Sequence, residues 1–151
     1  PPAEWPRHIG HEARSVTLTQ NMCERIRIPR DCRDLAILTA RYHGDVHRAL
    51  ELKPSTIADM FQAVDAYRKP QRFAEFLQAC ASDFYGRPGF AVKPYLPTEH
   101  LKKALAAATS VDAGSIAFEL QQKHSDSKTL PTMIQTKVRE ARVNKIKATL
   151  V

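Results

Sequence analysis

An all-α fold is what this sequence predicts, and three observations predict it. Apolar residues recur at spacings of three and four in one stretch after another. No run alternates apolar and polar residues as a half-buried strand does. Proline stands where several of the periodic stretches begin or end, as helix punctuation requires.

Taken in order, Pro1 to Pro6 holds three prolines and the only tryptophan, an extended lead-in with Trp5 as an anchor. Gly10 to Ile28 reads as the first helix. Ala13, Val16, Gln20, Cys23 and Arg27 mark one line along it, and Leu18, Met22 and Ile26 a second line beside it. Pro29 closes that helix, and Pro29-Arg30-Asp31 opens the next, with proline and an acid in the first turn. Cys32, Leu35, Ala36, Leu38 and Thr39 supply its inner face, and it delivers the chain to Tyr42-His43.

Lys53-Pro54-Ser55-Thr56 begins a third helix with an apolar stripe of Ile57, Met60, Phe61 and Val64. Tyr67 to Arg72, three positive charges around a proline, interrupts it. A fourth helix runs from about Gln71 to Tyr85, burying Phe73, Phe76, Leu77, Cys80 and Phe84, and stops at Gly86-Arg87-Pro88-Gly89. Phe90 to Pro97 is irregular. Glu99 to Ser110 is alanine-rich and strongly helical. Val111 to Lys123 gives a further helix with Ile116, Phe118 and Leu120. The last starts near Leu130-Pro131 and runs almost to the end, on a narrow line of Leu130, Ile134, Val138 and Ala141. The expected organisation is a helical bundle over residues 1–90 and a smaller, basic helical appendage over residues 91–151.

A chain of this length buries roughly two-thirds of its unfolded surface. No apolar run approaches the eighteen residues of a membrane span, so no membrane is expected. Cys23, Cys32 and Cys80 are odd in number and form no Cys-x-x-Cys pair, which argues against a zinc knuckle or a disulfide framework. Reduced, mostly buried thiols in a cytoplasmic protein follow as the expectation. There is no Gly-x-Ser-x-Gly elbow, no phosphate-cradling glycine loop and no cysteine near a histidine in sequence.

The formal net charge is +7. From Gln121 onward seven lysines and arginines face only Asp126 and Glu140. Such an excess favours a polyanion, most simply nucleic acid, although a solvated helix face carries charge equally well. Arg68, Lys69 and Arg72 form a second basic group, a phosphate-contact patch or the decoration of a turn.

The chemistry-bearing residues gather in three places. His8 and His11 open the first helix, His43 and His47 end the second, and Asp83 lies in the last turn of the fourth. His43 and His47 are four apart and share a helical face. Gly44 between them predicts a loosened helix that turns one imidazole into a cleft. A carboxylate at Asp83 opposes the helix dipole unless a cation or hydrogen-bond donor compensates. In an antiparallel bundle the start of helix one, the end of helix two and the end of helix four reach one rim. Imidazole and carboxylate together suit a divalent ion with a bound water, the apparatus of phosphoester hydrolysis. Independent polar residues at helix ends are the plainer alternative.

Five segments occur in an order that carries a resemblance: Trp-Pro-Arg-His-Ile-Gly-His-Glu (residues 5–12), Arg-Asp-Leu-Ala (33–36), Tyr-His-Gly-Asp-Val-His (42–47), Asp-Ala-Tyr-Arg-Lys-Pro-Gln-Arg (65–72) and Asp-Phe-Tyr-Gly-Arg-Pro-Gly-Phe (83–90). Together they resemble the C-terminal part of the bacterial multifunctional CCA proteins, tRNA nucleotidyltransferases that carry an HD phosphohydrolase domain. The likeness covers residues 1–90 well and thins after Phe90.

The resemblance implies a parent enzyme that adds or repairs the 3′-CCA of tRNA with CTP, ATP and Mg2+. Its HD domain would add 2′,3′-cyclic phosphodiesterase, 2′-nucleotidase and phosphatase activities, helped by Mg2+ or Ni2+. It implies catalytic or metal-binding roles for His11, His43 and Asp83, with His8 and His47 as weaker carry-overs. Arg68, Lys69, Arg72, Arg87, Arg139 and Arg142 are then expected contacts to phosphate or tRNA. The expected assembly is a monomer or homodimer.

The departures are as informative. No histidine here is followed by aspartate, so the doublet that names the domain is absent, as are the early histidine and the nucleotidyltransferase half with its binding of CTP and ATP. The expectation is a fragment of a longer protein, catalytically inactive in isolation and without tight metal binding, because ligand count and geometry set metal affinity. Two alternatives remain, a stand-alone helical RNA-binding or adaptor module and a stand-alone HD phosphohydrolase acting on small nucleotides. A tRNA-binding surface differs from the latter in weakening steeply with salt.

Overall fold

The computed structural model describes residues 10–125 and 127–150. Trp5, His8 and Asp126, singled out above, lie outside them. Among the described residues there is no strand, and seven α-helices follow one another: α1 (His11–Arg25), α2 (Arg30–His47), α3 (Pro54–Ala63), α4 (Pro70–Tyr85), α5 (Pro97–Thr109), α6 (Ala113–Lys123) and α7 (Leu130–Leu150). A single 3₁₀ turn, Ala49–Glu51, links α2 to α3. The expected all-α class holds. Proline occupies the first turn of α3 and α5, where its missing N–H costs nothing. Asp112 caps α6, its Oδ1 accepting from the Ser115 amide at 3.0 Å.

Contacts divide the chain into two compact units. The first holds the described residues up to Arg48 together with Pro70–Tyr95; the second holds Ala49–Lys69 together with Leu96 onward. In the first, α2 packs against both α1 and α4. Phe73, Phe76, Leu77 and Cys80 are buried, as α4's periodicity requires. Phe84 is only half-buried, and it meets Phe90 and Tyr95 at ring-centroid distances of 5.0 and 4.6 Å. Those rings hold the irregular segment after α4 against the end of that helix.

In the second unit α7 packs against α3, α5 and α6, and α3 also packs against α5. The α3 stripe of Ile57, Met60, Phe61 and Val64 is buried, with Leu101, Ala104 and Ala108 of α5 and Val138 and Ile146 of α7. This corrects the expected four-helix bundle. Helix α3 does not join α1, α2 and α4, because its apolar stripe is matched by those of α5 and α7. The boundary expected near residue 90 falls inside the first unit, since the chain leaves that unit after Arg48 and re-enters it at Pro70.

Three smaller expectations also change. Helix α2 runs unbroken through Gly44. A Cβ there would lie 3.0 Å from the Glu12 carboxylate, so the glycine leaves space for the end of the Glu12 side chain and does not loosen α2. Cys32 is exposed, whereas Cys23 and Cys80 are buried. Phe118 is 63% exposed and takes no part in a core.

Candidate functional site

The start of α1, the end of α2 and the end of α4 meet, as a bundle of this connectivity allows. His43 Nδ1 lies 3.0 Å from the Thr39 carbonyl oxygen. A carbonyl only accepts, so Nδ1 carries the proton and donates. In the neutral ring that leaves Nε2 as an acceptor, and His11 Nε2 lies 3.3 Å from it. His11 Nδ1 sits 3.3 Å from the Glu12 carboxylate. The two rings are edge-on, with centroids 5.4 Å apart.

One turn further along α2 the next imidazole continues the series. The His43 and His47 centroids are 5.8 Å apart, which is what an i,i+4 pair on one face produces. His47 Nε2 lies 2.9 Å from Asp83 Oδ2, and Arg87 Nη2 donates to the same oxygen at 2.6 Å. The imidazole and the guanidinium are thus the partners that a carboxylate in the last turn of α4 needs. On the other side of the ring, Tyr95 Oη lies 2.8 Å from His47 Nδ1.

Proton placement follows from the electrostatics. Burial pushes the Tyr95 phenol up, and the neighbouring Cys80 and Asp83 add to this, so its hydroxyl keeps the proton. Burial also lowers His47, more than the hydrogen bond to Asp83 raises it, with the Arg87 charge adding to the lowering. For Asp83, burial alone acts upward; the hydrogen bonds from Arg87 and His47 outweigh it and hold the carboxyl below its ordinary value. Tyr95 O–H therefore donates to Nδ1, and neutral His47 donates from Nε2–H to an anionic Asp83. The Cys80 thiol, pushed up to about 12 by burial and Asp83, stays protonated and is no nucleophile.

The expected convergence is met with a different pairing. His11 meets His43; Asp83 meets His47, the weaker of the two expectations in α2, and Arg87, which is spent on that carboxylate. Tyr95 was missed altogether. It lies between prolines in a stretch with no periodicity, and only its polar tip beside an aromatic body hinted at a role.

The residues fit a metal only in part. A separation of 3.3 Å between the Nε2 atoms of His11 and His43 suits two nitrogens held about 2.1 Å from one ion. Among the described residues, however, no group of three or more His, Cys, Asp or Glu is arranged to hold a metal ion. The pair offers two nitrogens and no more.

The basic residues are also accounted for. Arg68 is paired with Asp65 at 3.0 Å, in a turn where Asp65 adopts a φ of 57°. Arg72 is half-buried, and Lys69 is exposed. Arg139 makes a two-pronged contact with Asp59, at 2.7 and 2.8 Å. The Arg142 guanidinium lies 3.7 Å above the centre of the Tyr67 ring. No helix among the described residues is long and apolar enough to cross a membrane.

No family model matches the chain, and no solved structure does. Curated relatives do match, along nearly its whole length. The chain is 67% identical over 150 residues to a protein of Nitrosomonas eutropha named multifunctional CCA protein, covering 99% of this chain and 36% of that one. Proteins of the same name from Nitrosomonas europaea and Nitrosospira multiformis are 64% and 61% identical, over 99% and 97% of this chain. The chain thus spans about a third of the length of the relatives it matches. The resemblance read from the five motifs is borne out, and it extends past Phe90, where the motifs thin.

Proposed function

We propose that this chain, which corresponds to a segment of the multifunctional CCA proteins, is the C-terminal part of a tRNA nucleotidyltransferase that adds or repairs the 3′-CCA end. On this reading CTP, ATP and the Mg2+ of that reaction are bound by sequence not present here. The present chain supplies part of an HD phosphohydrolase site and a tRNA-contacting helical surface, in a cytoplasmic protein.

The observation that carries the phosphohydrolase reading is the meeting of His11 with His43 and of His47 with Asp83. Imidazoles and a carboxylate from three helices are what hydrolysis of a 2′,3′-cyclic phosphate or a 2′-phosphate needs. His11 and His43 offer a nitrogen pair. Tyr95 and Asp83 hold His47 in one tautomer, and Arg87 places a positive charge beside the carboxylate. A divalent ion such as Mg2+ or Ni2+ would supply an activated water, but the described residues group no further ligands with this pair. The isolated chain is therefore expected to be inactive.

Two measurements test this. The purified chain, given Ni2+ and a 2′,3′-cyclic nucleotide, is expected to show no turnover; turnover refutes the incomplete-site reading. In the full-length protein, Asp83→Ala is expected to abolish phosphodiesterase activity while CCA addition persists. If both activities survive, Asp83 has no part in the hydrolytic site. The tRNA-contact reading predicts binding that falls steeply between low and physiological salt.

A further inference from the structure

Helices α3 and α7 flank a half-open pocket of about 360 Å³. Helix α7 lines it at positions 131, 134, 135, 138, 139 and 142, and α3 at 58, 59 and 62. These are the spacings of single helical faces, so the cavity follows from how the two helices are laid together. The turn after α3 closes it with Tyr67, whose ring packs edge-on against the buried Phe61 at 6.1 Å. Ala58, Ile134 and Val138 make an apolar floor.

Two features set this cavity apart from a packing defect. The Tyr67 hydroxyl and Arg142 Nε are buried and find no hydrogen-bond partner beyond their own contact, so the wall they form is a polar pair set against apolar neighbours. The guanidinium and the phenol already lie face to face, 3.7 Å from ring centre to guanidinium carbon, so the wall is a flat, electron-rich and cationic stack. Gln62 and Gln135, one from each helix, add amides able both to donate and to accept. Arg139 is neutralised by its fork on Asp59, so the cavity lacks the excess of positive charge that a bare phosphate needs. Burial pushes the Tyr67 phenol up, so its hydroxyl keeps the proton.

We propose that this cavity between α3 and α7 is a binding site for one unpaired nucleobase of an RNA, inserted beside the Tyr67–Arg142 stack and read by the Gln62 and Gln135 amides. An apolar floor, a stacking wall and the exposed Gln62 and Gln135 amides are what an extruded base needs. Lys145, two turns beyond Val138 on the same face of α7, then lies toward the sugar-phosphate chain. This rests on the RNA-binding reading above and refines it: Arg139 and Arg142 shape a base pocket instead of contacting phosphates directly.

The test uses the whole chain and an RNA hairpin carrying 2-aminopurine at an unpaired loop position, with a blunt RNA duplex and inorganic phosphate as controls. Binding is expected to quench the fluorophore, and inorganic phosphate is expected not to reverse it. Arg142→Lys keeps the charge and removes the plane; it is expected to weaken hairpin binding about tenfold and duplex binding less than twofold. Exposed Gln135→Ala, which leaves the packing intact, is expected to weaken hairpin binding alone. Binding of the hairpin without quenching, or equal losses on hairpin and duplex, overturns the base pocket and leaves the RNA-binding reading standing. No binding of either RNA overturns both.

Discussion

The two compact units bury their apolar residues in different ways. In the second, the stripes of α3, α5 and α7 are consumed by one another: Ile57, Phe61, Leu101 and Ile146 are fully buried. In the first, α4 is well buried on one face, but α1 and α2 contribute only Cys23 and Val46 to the buried residues. The second apolar line of α1 is open to solvent, with Leu18 68% exposed and Met22 and Ile26 exposed beside it. The polar groups divide the other way. The first unit gathers three histidines, an aspartate, an arginine and a tyrosine into two hydrogen-bonded groups joined by the His43–His47 ring contact, whereas the second presents a pocket with a stacked cation. The second unit is thus built as a scaffold around a pocket, and the first around a titratable cluster.

The largest expected effect tests the scaffold. Phe61→Ala removes a fully buried ring from the second unit and is expected to cost about 3–5 kcal/mol, read as a drop in the denaturant midpoint. A loss under about 1 kcal/mol would mean that this core is not what holds the unit together.

The pH dependence tests the cluster. His47 is depressed in the folded protein, so between its folded value and the ordinary histidine value near 6.5 the unfolded chain binds the extra proton. Its contribution to stability is full above about pH 6.5 and is lost as pH falls through the folded value. Asp83, also depressed, contributes above the ordinary carboxylate value and loses that contribution only in stronger acid. An NMR titration is expected to place the His47 midpoint below 6.5, and Asp83→Asn to lower it further, because the carboxylate is what favours the imidazolium. An unchanged or higher midpoint in Asp83→Asn would show that His47 is governed by burial and Arg87 alone.

Smaller effects sharpen the contrast within the first unit. Gly44→Ala is expected to stabilise α2 by up to about 1 kcal/mol, because the Glu12 carboxylate facing the new methyl is the movable end of a flexible side chain. Destabilisation would mean that Glu12 is held rigidly against His11. Leu18→Ala, on the exposed line of α1, is expected to change stability by less than about 0.5 kcal/mol. A loss of several kcal/mol would show that this line is covered in solution.

The helices were almost fully legible from sequence, because their signals are local. Proline at positions 29, 54, 70 and 131, glycine at 86 and apolar spacings of three and four decide where a helix begins, ends and turns its face. Their partners were less legible. The α3 stripe reads the same whether it meets α1 or α7, and only complementary stripes on α5 and α7 settle which. Within the site, the convergence of His11, the α2 histidines and Asp83 was expected from an antiparallel bundle that included α3, and it holds although α3 packs with α5 and α7. The pairing of His47 with Asp83 was not expected, because it depends on an offset of about one helical turn.

What the sequence by itself determined is the all-α class, the helix boundaries, the basic tail and, through five motifs, the kinship with multifunctional CCA proteins. Each of these is carried by residues close together in the chain or by their order along it. Only the tertiary structure decided that α3 lies with α5 and α7, that Tyr95 joins the histidine series, and that Tyr67, Gln62 and Gln135 share a cavity with Arg142. Those facts join segments far apart in the chain, 48 positions for His47 and Tyr95, and packing free energy, which no local pattern encodes, selects among the many pairings that the same stripes allow.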